Sequence, residues 1–231
     1  LSAGLLKALN TKKSFEDKTS AVSTEAYTYY LEAKYKHDNF LNKADIKIAQ
    51  GLASKSLSLD NNLLEAKLLL GTTYFHVYNY KKAKEILYEV IEEGEKNSNY
   101  NIVVKTLSEL GHHYVMGRDF KQGLDCFNRS IDISNKINNK GCIALSISHI
   151  AWVSVYAGIN SHDKAIEMFE RGRILFEELE DYNALVGAYT DLGYCYLYLK
   201  GKVDKSLEYL KGGYKIAKEN HLKNIGLILG D

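Results

Sequence analysis

Seven histidines and three cysteines carry most of the metal-binding and nucleophilic chemistry that this 231-residue chain could offer, and their spacing decides how much of it is usable. Glu109 and His112 stand three apart, so on a helix they share a face. A carboxylate and an imidazole placed that way can hold a metal ion if neighbouring helices bring His76 and His149 to them. That requires several separate elements to converge, and the expectation is that no metal is held. His112 and His113 form no catalytic pair, because neighbours on a helix point about 100° apart. Cys126, Cys142 and Cys195 are odd in number, lack Cys-x-x-Cys spacing and fall inside helical patterns, so they read as buried reduced thiols. The glycines are spaced as packing contacts and form no phosphate-cradling loop, and no serine, histidine and aspartate occur in a setting for acyl transfer. The chain is expected to bind other molecules without transforming them, and to need no cofactor.

The elements that position these residues repeat. Leu110-Gly111-His112-His113-Tyr114 is followed by Phe120, Gly123, Phe127 and Ser130. The same order of small and aromatic residues occurs earlier, as Leu70-Gly71-Thr72-Thr73-Tyr74 with Tyr80, Ala83, Leu87 and Val90. It returns later as Leu192-Gly193-Tyr194-Cys195-Tyr196 with Ser206, Leu210 and Gly213. A small residue on one helix that faces a small residue on the returning helix lets the two axes approach to the lower end of the usual separation of about 8 to 10 Å. Gly71 is thus expected opposite Ala83, Gly111 opposite Gly123, and Gly193 opposite Ser206. Leu87, Phe127 and Leu210 are expected to fill the space toward the next hairpin. Helix starts are marked by Asn79, Asp119 with Gln122, Ser161 and Asp181.

This pattern resembles the tetratricopeptide repeat, with its W-x2-L-G-x2-Y and A-x3-F signature. Two features depart from it. The chain has no proline, and the period runs 40, 40 and 42 residues from Gly71 through Gly111 and Ala151 to Gly193, against about 34 in the standard unit. The longer period implies longer second helices. The stretch from Ser23-Thr24-Glu25-Ala26-Tyr27 to Ser56-Leu57-Ser58-Leu59-Asp60-Asn61-Asn62 further resembles the tetratricopeptide region behind TolB-like domains of bacterial adenylate cyclases and related signalling proteins. The resemblance implies an all-α, right-handed superhelical solenoid of antiparallel helix pairs. Residues 1–22 are expected to be the end of an upstream helix and a polar linker, 23–220 five helical hairpins, and 221–231 a truncated sixth repeat.

A repeat of this kind binds partners on its concave face, lined by first-helix positions one residue beyond the packed ones and by the positions that flank them. The groove residues predicted on this basis are Phe75 and His76 from the second repeat, and Glu109 and His112 from the third. His149, Trp152 and Tyr156 follow from the fourth, and Asp191, Tyr194 and Tyr198 from the fifth. Tryptophan and tyrosine give large contact area at small entropic cost and dominate binding hot spots. Lys34 and Lys105 are the only first-helix candidates for clamping a terminal carboxylate, so recognition of that kind is disfavoured.

Composition sets the outer limits. The 30 basic and 29 acidic residues give no electrostatic case for nucleic acid. No apolar run approaches the roughly 18 to 20 residues that span a bilayer, and no leader pattern is present, so a cytoplasmic location and no membrane partner are expected. The function expected is a non-enzymatic protein- or peptide-binding scaffold within a larger signalling or regulatory protein. The alternative is an intramolecular regulatory or oligomerisation element that self-associates through exposed array ends.

Overall fold

Alternation of short polar turns with runs of helix-forming sequence produces ten α-helices among the residues that the computed structural model describes, 24–158 and 161–222. They are α1 (Thr24–Asp38), α2 (Lys43–Leu59), α3 (Leu64–His76), α4 (Tyr80–Lys96), α5 (Tyr100–Met116), α6 (Phe120–Lys136), α7 (Lys140–Ala157), α8 (His162–Glu178), α9 (Tyr182–Tyr194) and α10 (Val203–Glu219). A π turn, Cys195–Leu199, continues α9. No strand occurs among the described residues. The expected upstream helix end and linker lie outside them, as does the sixth repeat beyond residue 222.

Side-chain caps set the helix starts. Asn79, Asp119, Ser161 and Asp181 each accept a hydrogen bond from the backbone N–H three residues on, that of Lys82, Gln122, Lys164 and Ala184 respectively. Asn139 does the same for Cys142. Each such bond satisfies one of the donors that a helix start leaves without an intrahelical partner. The ends are less ordinary. Tyr78, Ser98, Arg118, Asn138 and Glu180 adopt positive φ of 53 to 64°, a conformation that glycine takes at Gly158 and Gly201. A Cβ in the left-handed region costs about 1 to 2 kcal/mol, so these turns are held by the packing of the helices they join.

The chain divides into two units between Ile102 and Val103, within α5. In the first, α1 packs on α2 and α3, α2 on α3, and α3 on α4. Alanines 26, 33, 49, 53 and 66 are fully buried and let these helices approach closely. Ser56 Oγ donates to the Ala26 carbonyl at 2.7 Å, and the nearly buried Lys67 reaches both carboxylate oxygens of Glu93 at 2.6 and 2.8 Å. In the second unit α6 packs on α7, α7 on α8, α8 on α9, and α9 on α10. Phe127 and Phe169 are its largest fully buried side chains. Glu170 of α8 accepts from Arg173 Nε at 2.8 Å and from the hydroxyl of Tyr209, which ties α10 to α8.

Facing small residues close two of the hairpins. A Cβ on Gly123 would lie 3.2 Å from the Gly111 carbonyl oxygen, and one on Gly193 3.5 Å from that of Ser206. Leu87, Phe127 and Leu210 lie over the glycine of their own hairpin: a Cβ on Gly71 would meet Leu87 Cδ2 at 2.6 Å, one on Gly111 would meet Phe127 Cε1 at 2.6 Å, and one on Gly193 would meet Leu210 Cδ2 at 2.9 Å. The absent side chain leaves a recess that the large residue fills. Phe127 also reaches the next hairpin, as expected, with its ring 4.8 Å from that of His149 on α7.

Two opposite stability effects follow. Gly111→Ala should lower stability by about 1 to 3 kcal/mol, the usual cost of forcing a methyl group into a packed core, because the buried Phe127 ring cannot move aside. Glu180→Gly should raise it by about 0.5 to 1 kcal/mol, less than the full left-handed penalty because glycine also loosens the unfolded chain. Urea unfolding followed by circular dichroism measures both.

Candidate functional site

The second unit contains a cleft of about 390 Å³ across its first helices. Its walls are His112, Val115 and Met116 of α5, Leu145, Ser148, His149, Trp152 and Tyr156 of α7, and Ala184, Gly187, Ala188 and Asp191 of α9, with Phe127 of α6 and Phe176 of α8 between them. Helical geometry explains the selection. His149 and Asp191 stand two residues before the small packed residue of their helix, His112 and Trp152 one after, and Met116 and Tyr156 five after. At about 100° per residue these offsets all fall between about 100° and 160° round from the packed face. Leu145 and Gly187, six before, fall on the same stripe one turn further back. Extending the stripe by that turn is the signal that would have found them in the sequence.

Trp152 is the centre of the polar and aromatic part. It is half-buried, with its indole edge-on to the core residue Phe169 (5.2 Å, 70°), nearly parallel to Tyr156 (5.3 Å, 19°) and steep to Tyr194 (5.3 Å, 62°). Tyr194 in turn lies 4.5 Å from Tyr198. The π turn that follows Tyr194 carries Tyr198 beside it. Tyr156 and Tyr198 are 61% and 67% exposed, so the group runs from the core to the surface.

Two titratable groups in the cleft are strongly perturbed. Burial pushes the Asp191 carboxyl up to about 6, while the indole N–H of Trp152 donates to it and pulls the other way. His149 is pushed down to about 4, first by burial and then by His112. Its ring lies 4.8 Å from Phe127 and 6.2 Å from His112, and its Nδ1 is buried without a protein hydrogen-bond partner. At neutral pH the cleft therefore holds a neutral His149 imidazole. Burial and nearby Tyr194, Asp191 and Cys195 raise the Tyr156 hydroxyl. Burial also raises the thiols, Cys126 to about 11 and Cys195 to about 12, which keeps them protonated and poor nucleophiles.

Of the ten groove residues predicted, His112, His149, Trp152, Tyr156 and Asp191 line the cleft. Tyr194 and Tyr198 adjoin it through Trp152. Glu109 is half-buried on α5 and is not part of the lining. Phe75 and His76 belong to the first unit. Phe75 is only 4% exposed, with its ring 6.1 Å from Tyr80, and so is a core residue and not a groove residue. It stands four residues after Gly71, only about 40° round from the packed face, and Val115 at the same offset also packs inward, over Gly123. His76 packs against His37 (5.2 Å) and Phe40 (5.1 Å), and burial followed by His37 lowers its pKa. Among the described residues no group of three or more His, Cys, Asp or Glu side chains is placed to hold a metal ion. Among them, too, no helix is long and apolar enough to cross a membrane.

No family model matches the sequence, nor does any curated protein. Solved structures do match. A Rap protein complexed with Competence and Sporulation Factor superposes with a TM-score of 0.72 at 18% identity over 93% of this chain and 59% of its own. The chain likewise spans 56% of aspartyl phosphate phosphatase F from Bacillus subtilis, with 95% of its own length covered, a TM-score of 0.68 and 17% identity. A STAND-type signal transduction ATPase with a tetratricopeptide repeat sensor, from Pyrococcus horikoshii, matches over 87% of this chain and 31% of its own, with a TM-score of 0.66 and 17% identity. At these identities the likeness is one of fold, and the fold is an all-α helical solenoid of the tetratricopeptide-repeat type.

Proposed function

We propose that the chain is a non-enzymatic binding module whose second unit holds an extended segment of a protein partner in the α5–α7–α9 cleft, within a cytoplasmic signalling or regulatory protein. The observation that carries this is the cleft itself: an aromatic and apolar wall built from the same face of three successive first helices, open at Met116 and Tyr156, with hydrogen-bonding groups at His149 and Asp191. A largely apolar pocket with a few convergent polar groups is what binding sites generally present. The neutral imidazole and high-pKa thiols favour holding a ligand over attacking it. The Rap protein, of like fold, is seen in complex with Competence and Sporulation Factor, which supports a binding role here. The Pyrococcus horikoshii protein, whose repeats are described as a sensor, supports a second reading in which the module regulates the chain that carries it.

Gly187 offers the cleanest test. A Cβ there meets nothing within 4 Å, so space opens above it. Gly187→Trp should fill the cleft and abolish capture of a partner from lysate while keeping helicity and melting temperature. Trp152→Ala with Tyr194→Ala should weaken the same partner by about 1 to 3 kcal/mol, the scale of truncated aromatic anchors. Capture that is unchanged in both variants would place binding elsewhere.

The two perturbed groups act on stability in opposite directions. The folded pKa of His149 lies near 4, below the ordinary 6.5, so its contribution is full above about 6.5 and is lost as pH falls toward 4. That of Asp191 lies near 6, above the ordinary 3.8, so its burial penalises folding above about 6 and the penalty disappears toward 3.8. Asp191→Asn should therefore gain stability over the parent by up to about 2 kcal/mol at pH 7.5 relative to pH 4, at about 1.4 kcal/mol per pKa unit. Chemical denaturation at the two pH values reads the difference.

A further inference from the structure

We infer that Asp191, with the rings of Trp152, Tyr156 and Tyr194, forms a subsite for a lysine or arginine side chain of the bound segment. The inference rests on the reading of the cleft as a peptide groove and adds which side chain that groove selects. Asp191 is a carboxylate placed among apolar and aromatic residues, and among the described residues neither lysine nor arginine lines the cleft with it. The Trp152 indole donates to it, and among the described residues no cationic side chain acts on its charge. A carboxylate has about four lone-pair sites, so most of its accepting capacity is left for a ligand. A charge withdrawn from water in this way is costly unless paired, and a cation from the ligand supplies the pair.

The rings fit the same occupant. Tyr156 lies nearly parallel to the indole while Tyr194 stands steep to it, at 19° and 62°. Both tyrosines are partly exposed, at 61% and 42%, and both pack against the indole that donates to the carboxylate. A guanidinium or ammonium within about 6 Å of an aromatic face gains cation–π attraction in addition to the ion pair. The neighbouring apolar surface of Leu145, Ala184 and Gly187 is suited to the aliphatic stem or to an adjacent apolar residue. An acidic segment or a terminal carboxylate would meet like charge at Asp191 and neutral imidazole at His149, so charge complementarity selects a basic one.

The test uses the whole chain and a displayed library of random dodecapeptides, selected on the parent protein and counter-selected on Gly187→Trp. The expected result is groove-dependent peptides that share a lysine or arginine. In the strongest synthetic peptide, replacing arginine by citrulline, or lysine by norleucine, should weaken binding about ten- to hundredfold, the worth of a hydrogen bond to a charged group. The same replacement should change little on Asp191→Asn. Groove-dependent peptides without a basic residue, or an unchanged affinity for the citrulline or norleucine peptide, would overturn the cation subsite and leave the peptide groove standing. Failure to obtain any groove-dependent peptide would overturn both. The peptide-side replacement is measured on the unaltered protein, so the result does not depend on how Asp191→Asn folds.

Discussion

Phe127 lying over Gly111 is the contact on which the second unit depends. A side chain at position 111 would occupy the space of that ring, and the two helices could not then sit as close as Gly123 and the Gly111 carbonyl require. Leu210 over Gly193 repeats the arrangement two hairpins on. Because α5, α7 and α9 are each pinned through one face, their other faces are oriented by default. The cleft is the set of residues that this orientation leaves pointing away from the packed side. Phe127 belongs to both: it is fully buried against Gly111, and it also borders the cleft and packs, tilted, against His149.

The electrostatics follow from the same packing. Close helices partly shield His149 and Asp191 from water, and each group responds by shifting toward its neutral form. The shifts differ in consequence. A neutral imidazole is in its comfortable state at physiological pH, whereas Asp191 stays largely ionised in a place that does not favour charge. The cleft is thus left with an unbalanced negative site beside its aromatic rings, and this imbalance gives the binding surface a preference.

Much of this could be read from residue spacing. The glycine and alanine stripe, the capping residues Asn79, Asp119, Ser161 and Asp181, and the face carrying His112, Trp152 and Tyr156 all follow from helix periodicity. Phe75 shows its limit, because one residue more or less rotates a side chain by about 100° and the offset of four turns it inward. Leu145 and Gly187 lie a turn beyond the stretch that the motif marks, and glycine offers no chemistry to draw attention to an open surface. The left-handed Tyr78, Arg118 and Glu180 carry no local signal, since tertiary packing imposes that conformation on residues that do not prefer it. Burial of Asp191 depends on what α7 lays across it, which no single helix sequence contains.

Trp152 is the only tryptophan in the chain, so its emission reports on the cleft without a label. The most direct measurement is that emission during titration with a partner captured by the chain, with complex formation followed independently by sedimentation. Binding in the α5–α7–α9 cleft predicts a saturable change in wavelength or intensity that tracks complex formation. A complex that forms fully while the emission stays unchanged would contradict it and place the binding surface on another face of the helices.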